Sequence, residues 1–156
     1  MAPLIPDDLA EHFEGGVSIL VGTRDERLRS EATRAFGAFV HPDRQRLTVF
    51  LPADTSALAI ANLRANGKIA VGFSSILDHE TLQVKGTLEG IRDATDAEHD
   101  LIMRYHVAFA EILAVTGIPR AVTRRLNVWP AHAVTLLATD LFQQTPGPKA
   151  GERVRS

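Results

Sequence analysis

The sequence predicts a mainly β protein, a small six-stranded antiparallel barrel with accessory helices. Three observations carry this expectation. Six short runs are β-branched or alternate between apolar and polar residues, and several are joined by hairpin-length turns. Only one segment carries a long apolar stripe at helical spacing. Regular strand–helix–strand alternation is missing, which argues against a doubly wound parallel sheet, while closing the strands into a barrel removes free edges.

Each element has a local reason. Residues 6–13, with Pro6, Asp7, Asp8 and Glu11, read as a short acidic helix ending at Gly15 and Gly16. Residues 17–23 form a β-branched strand, and a charged turn follows over 24–29. Residues 30–40 read as one strand, His41-Pro42-Asp43-Arg44 as a turn, and residues 47–51 as the next strand. A short helix follows over 57–66, stopped by Gly67 at C′, with a modest buried face of Leu58, Ala61 and Leu63. Residues 68–73 read as a strand buried on both sides. Over 81–90, Leu82, Val84 and Leu88 face one way and Gln83, Lys85, Thr87 and Glu89 the other.

Thr95 to Glu98 fits a capping box. The helix behind it carries Leu101, Tyr105, Ala108, Phe109, Ile112 and Leu113 on one stripe, and Gly117 and Pro119 end it. Residues 119–127 suggest a further short helix bearing Arg120, Arg124 and Arg125. Residues 133–138 form the sixth strand, extending toward Phe142. Residues 1–142 are thus expected as one domain and 143–156 as a mobile tail.

Bulk properties narrow the function classes. A length of 156 residues suits one domain with a real core. A net charge of −2 and the absence of a basic stripe with aromatics give no reason to expect nucleic-acid or membrane partners. With no cysteine, thiolate metal sites and cysteine nucleophiles are excluded. No secretory signal is apparent, so a cytoplasmic location is the expectation.

The strongest functional lead is Arg34, a charge inside an otherwise apolar run. A hairpin would bring it near the end of the next strand and the first turn of the 57–66 helix, beside Thr55 and Ser56. Helix N-termini present free N–H groups and partial positive charge, and with an arginine they favour a phosphate. Plainer readings stand beside this one: an ion pair with Glu31 for Arg34, an N-cap for Thr55 or Ser56, and a solvated face for Gln83 and Lys85. Six histidines show no paired metal-ligand spacing, so no metal is expected, and His79-Glu80 is a weak catalytic candidate. The catalytic residues remain unassigned.

This order of elements resembles the pyridoxamine 5′-phosphate oxidase-like FMN-binding split-barrel superfamily. The resemblance rests on Thr33-Arg34-Ala35-Phe36-Gly37, on residues 47–52 leading into Thr55-Ser56, and on Leu82-Gln83-Val84-Lys85-Gly86. It implies a six-stranded antiparallel split β-barrel and a homodimer with two FMN sites at the interface. It implies roles for Arg34 near the flavin phosphate, for Ala35, Phe36 and Gly37 along the ring, and for Leu51 and Pro52 flanking it. Thr55 and Ser56 match the phosphate loop, Gln83 a glutamine that reaches the flavin, and Trp129 an aromatic near the ring.

Two departures bear on chemistry. Many flavin-binding members follow the loop serine with Arg-Lys, whereas Ser56 is followed by Ala57 and Leu58. Arg64, Lys68 or a C-terminal arginine would have to supply the missing charge. The tryptophan–arginine–histidine substrate motif of the true oxidase has no match. The resemblance therefore implies a flavin-dependent oxidoreductase acting on an unidentified small molecule. The alternative is a non-enzymatic flavin or haem carrier or sensor on the same fold.

Overall fold

The computed structural model describes residues 4–154. The elements are α1 (Asp7–Glu14), β1 (Ser18–Arg24), β2 (Ser30–Ala35), β3 (Ala38–Val40), β4 (Arg46–Pro52), α2 (Ala57–Asn66), β5 (Lys68–Ser74), β6 (Thr81–Asp93), α3 (Asp96–Val115), α4 (Arg120–Arg124) and β7 (Ala131–Gln143). The strands make one antiparallel sheet in the order β2-β1-β5-β6-β7-β4-β3. The mainly β, split-barrel class predicted from sequence holds, with seven strands in place of six.

The extra strand arises at Gly37. The segment predicted as one strand over 30–40 divides there, because Gly37 takes φ +112°, a conformation that side chains other than hydrogen rarely tolerate. β2 and β3 lie at opposite edges of the sheet, so the chain crosses from one edge to the other through Phe36 and Gly37. Two backbone bonds fasten this crossing to β4: Phe36 N–H donates to the Phe50 carbonyl at 2.9 Å, and Phe50 N–H to the Gly37 carbonyl at 3.2 Å. The curled sheet is thereby joined along its edges.

Alternation along the strands fills the interior. Ile19 and Val21 of β1, Val71 and Phe73 of β5, Val84 of β6 and Val49 of β4 are fully buried. α1 closes one end of the sheet, where Phe13 stacks on Phe73 with ring centroids 4.1 Å apart. α2 packs Ile60 and Leu63 inward, and Gly67 ends it in the left-handed conformation as the sequence predicts. Leu58, expected on the buried face, is 56% exposed. Ala59, Ile60 and Leu63 take the core-facing positions, and helical periodicity turns Leu58 away from them.

The predicted capping box forms at the start of α3, with Thr95 and Glu98 bonded reciprocally. α3 lies over the crossing: Phe36 meets Tyr105, His106 and Phe109 edge-on, and the Tyr105 hydroxyl donates to the Val17 carbonyl. No helix among the described residues is long and apolar enough to cross a membrane.

Two further expectations are corrected. β5 is buried on one face only: Ile69, Val71 and Phe73 point inward, whereas Lys68, Ala70, Gly72 and Ser74 stay accessible. Its glycine and alanine are too small to fill an outer layer. The segment predicted as a mobile tail from Gln143 turns back on the sheet instead. Val154 N–H donates to the Leu141 carbonyl at 2.8 Å, Gln143 N–H to the Glu152 carbonyl at 2.9 Å, and Arg153 pairs with Asp140 at 2.6 Å.

Candidate functional site: the outer face of the sheet

Directly opposed residues in an antiparallel pair share a face, so the register identifies which outward side chains stand together. One row runs Arg34, Leu20, Gly72, Gln83, Phe142 across β2, β1, β5, β6 and β7. The next runs Ala32, Gly22, Ala70, Lys85, Asp140. The centre of the face is therefore nearly flat, built from two glycines and two alanines around Leu20, which is 46% exposed. Guanidinium, amide, ammonium and carboxylate groups stand at its sides.

Arg34 is held in place by its own face. Its Nη1 donates to the Ser18 hydroxyl at 2.8 Å, and its guanidinium stands over the Phe109 ring, 5.4 Å from the centroid. It makes no ion pair with Glu31 or any other carboxylate among the described residues. Neighbouring Tyr105 has its phenol pKa raised, chiefly by burial, with the Arg34 charge pulling the other way. Gln83 accepts from the Gln144 amide at 3.4 Å.

The geometry separates Arg34 from the start of α2. Adjacent residues of a strand point to opposite faces, and it is Thr33 that reaches the loop, donating to the Thr55 carbonyl at 3.2 Å. Arg34 points the other way, toward α3. The expected pairing of Arg34 with the helix start is thus corrected by strand parity. Ser56 is fully buried and its hydroxyl donates to the Pro52 carbonyl at 2.7 Å. It makes no side-chain cap to α2. Thr55 is exposed, and the first turn of α2 carries no charged side chain.

The remaining predicted residues fall into two groups. Ala35, Phe36 and Gly37 lie under α3; a side chain on Gly37 would stand 3.0 Å from Leu101 Cδ2. Leu51 and Pro52 are buried at the end of β4. Trp129 sits near that end, since the next residue, Pro130, accepts a bond from Ala53 N–H at 2.8 Å. Its ring meets His99 at 4.6 Å, edge to face. Of the ten predicted residues, the structure brings Arg34 and Gln83 into one row and puts the other eight elsewhere.

Two other sequence candidates are also placed. His79 lies exposed in the β5–β6 loop at φ +62°. Arg120 pairs with Glu111 at 2.7 Å on the exposed side of α3 and α4, which fits a solvated helix face.

Sequence reasoning missed a trough of about 490 Å³ beside the central rows. Gly22, Ala70 and Gly86 line its floor, with Arg24, Lys68, Lys85, Thr87, Thr139 and Asp140 around it. A bulge at Thr139 shapes one wall, because Lys85 pairs with Asp140 but Gly86 with Ala138. Gly86 is required there, since a Cβ would run into the Leu137 carbonyl. The signal available in sequence was Lys68 and Lys85 alternating outward on their strands, and only the register shows that they converge.

No protein-family model matches the sequence, and no curated protein does. Solved structures do match. The chain is similar to HupZ of Group A Streptococcus, with a TM-score of 0.58 and 17% identity, covering 94% of this chain and 99% of that one. It is similar to a Lactobacillus delbrueckii protein named for pyridoxamine 5′-phosphate oxidase, with a TM-score of 0.56 and 14% identity, covering 88% and 93%. It is also similar to an FMN-binding protein from Syntrophomonas wolfei, with a TM-score of 0.52 and 13% identity, covering 86% and 85%. The curled antiparallel sheet, its edge-to-edge crossing and these likenesses agree: the chain has the split-barrel fold of these structures.

Proposed function

We propose that this chain binds FMN on the outer sheet face, between two copies of itself, and serves a two-electron oxidoreduction of a small molecule. The observation that carries this reading is the row Arg34, Leu20, Gly72, Gln83, Phe142 on an accessible, nearly flat face. The donor set fits the ring of such a cofactor. Gly72, Ala70 and Gly22 permit close approach of a planar group, and Leu20 supplies apolar cover. The start of α2 does not fit the phosphate, because its serine hydroxyl is committed internally, its first turn carries no charged side chain, and the Arg29 beside it is paired with Asp25. The likeness to a protein named as FMN-binding supports the choice of ligand.

Bound FMN would supply the redox chemistry, as cofactors do. The chain's own part is to position and to shield. Arg34, fixed by Ser18 and Phe109, presents N–H donors to an acceptor at the edge of the face. Gln83 offers both an amide donor and an acceptor. Leu20 excludes water from the centre. A second copy seated on this face would complete the cover, which makes the homodimer part of the proposal.

The test is an absorbance spectrum of the purified protein, then an FMN titration followed by flavin fluorescence. Saturable binding at micromolar FMN or below is expected, and Arg34→Ala should weaken it at least tenfold in a folded protein. Unchanged affinity in that variant would remove Arg34 from the site. A second reading, a carrier or sensor without turnover, is favoured by the chemistry of the face. Its groups are guanidinium, amide, ammonium and hydroxyl, and its carboxylate, Asp140, is already paired. Reduction of bound flavin by NADPH separates the two readings.

A further inference from the structure

The structure assigns the anionic end of the ligand to the Arg24–Lys68–Lys85 trough: we infer that this trough binds a phosphate group, in place of the start of α2. In its full form the inference rests on the flavin reading above. The anion site itself stands on independent observations.

The first is charge. The chain carries 19 acidic and 17 basic residues, yet three cations converge here from three strands. Arg24 lies two residues past Gly22 on β1, and Lys68 two residues before Ala70 on β5, with Gly22 and Ala70 directly paired. Lys85 is paired with Ala70 on the other side. Like charges so placed repel one another, and a bound anion relieves the repulsion.

The second is availability. Lys68 is exposed and makes no side-chain ion pair among the described residues. Lys85 Nζ rests 5.2 Å from the Phe142 ring centroid, and Arg24 Nη1 donates to the Asp25 carbonyl at 3.2 Å, contacts that leave both charges in place. The carboxylate that could neutralise the cluster, Asp140, is held by Arg153 at 2.6 Å and accepts the Thr139 hydroxyl at 2.9 Å. Thr87 adds a hydroxyl to the lining.

The third is reach. The trough begins one row from the Gly72–Gln83 pair and extends to the next. Two to four residues along a strand span about 7–13 Å at about 3.3 Å each, room for the ribityl chain between a ring on the flat rows and a phosphate among the cations.

The experiment compares FMN with riboflavin, which lacks the phosphate, and adds inorganic pyrophosphate as a bare probe. Each is titrated calorimetrically into the wild type and into Lys68→Ala/Lys85→Ala. Both lysines are exposed, so the variant should keep its fold, as circular dichroism would verify. The wild type is expected to bind FMN at least tenfold more tightly than riboflavin, with a preference that weakens as salt rises. The double variant is expected to lose that preference while keeping its riboflavin affinity. Equal binding of the two flavins by the wild type, or a preference that survives in the variant, would overturn the assignment and leave the flavin reading intact. If neither flavin binds, the flavin reading fails and pyrophosphate decides. Saturable binding lost in the variant would keep the trough as an anion site, and no binding would sink it.

Discussion

The start of α2 and the outer face of the sheet both place polar groups near solvent, but the polar groups of one are already occupied. At α2, Thr33 is bonded to the Thr55 carbonyl and Ser56 to the Pro52 carbonyl, and both side chains are buried. These hydroxyls shape the loop. The small cavity beside α2 is lined by Asp25, Glu31 and Arg29, with more acid than base. On the sheet face the cations are solvent-facing and the single carboxylate is paired elsewhere. A hydroxyl near a helix start is thus a weak indicator of an anion site until its own hydrogen bond has been traced.

Three measurements would break or sharpen this contrast. The largest effect is expected for Ser56→Ala. It removes the shorter of two hydrogen bonds to the buried Pro52 carbonyl, which keeps the Thr55 N–H at 3.4 Å, a cost of up to about 1.5 kcal/mol, so urea unfolding should shift by that amount. FMN affinity should not change. A variant that keeps its stability and loses the flavin would restore the α2 loop as the phosphate site.

A smaller effect is expected at α3. The Arg92 guanidinium and the Thr95 N–H hold the Glu98 carboxyl down at about 2, against an ordinary 4.5. A depressed carboxylate contributes stability that is complete above its unfolded value and lost as pH falls toward its folded one. Unfolding free energy should therefore decline between about pH 4.5 and 2, by about 1 kcal/mol from this group once solvent screening of the half-exposed Arg92 is allowed for. Glu98→Gln should flatten that part of the profile.

The smallest effect is the most discriminating. Replacing Ala57 and Leu58 by Arg and Lys puts two cations at the start of α2. With the phosphate in the trough, FMN affinity should stay within about twofold. A tenfold gain, worth about 1.4 kcal/mol, would show that the phosphate reaches α2 after all.

Much of the fold was legible because local signals agreed with one another. Alternation marked the strands, Thr95 and Glu98 the capping box, and Gly67 the end of α2. The division at Gly37 was not legible, since a glycine between apolar residues reads equally as a bulge, a bend or plain strand. Arg34 was identified as unusual but assigned to the wrong neighbour. Thr33 and Arg34 are adjacent, small or apolar residues lie on both sides of them, and period-two patterning alone could not decide which one faces the loop. The trough was less legible still. Each of its cations reads singly as a solvated strand position, and their meeting depends on β1 and β6 flanking β5, an order no local pattern encodes.

The return of residues 144–154 along β7 has an electrical consequence. Arg153 lies outside the trough lining, yet it holds Asp140 and also stands 5.7 Å from the Phe142 ring that Lys85 approaches. It acts as an internal counter-ion. With it in place, the field over the sheet face is that of three uncompensated cations. With the return peeled away, Asp140 becomes a competitor for Lys85, and the positive potential at that end of the face falls. An anion held in the trough would therefore depend on a stretch of backbone that need never touch it.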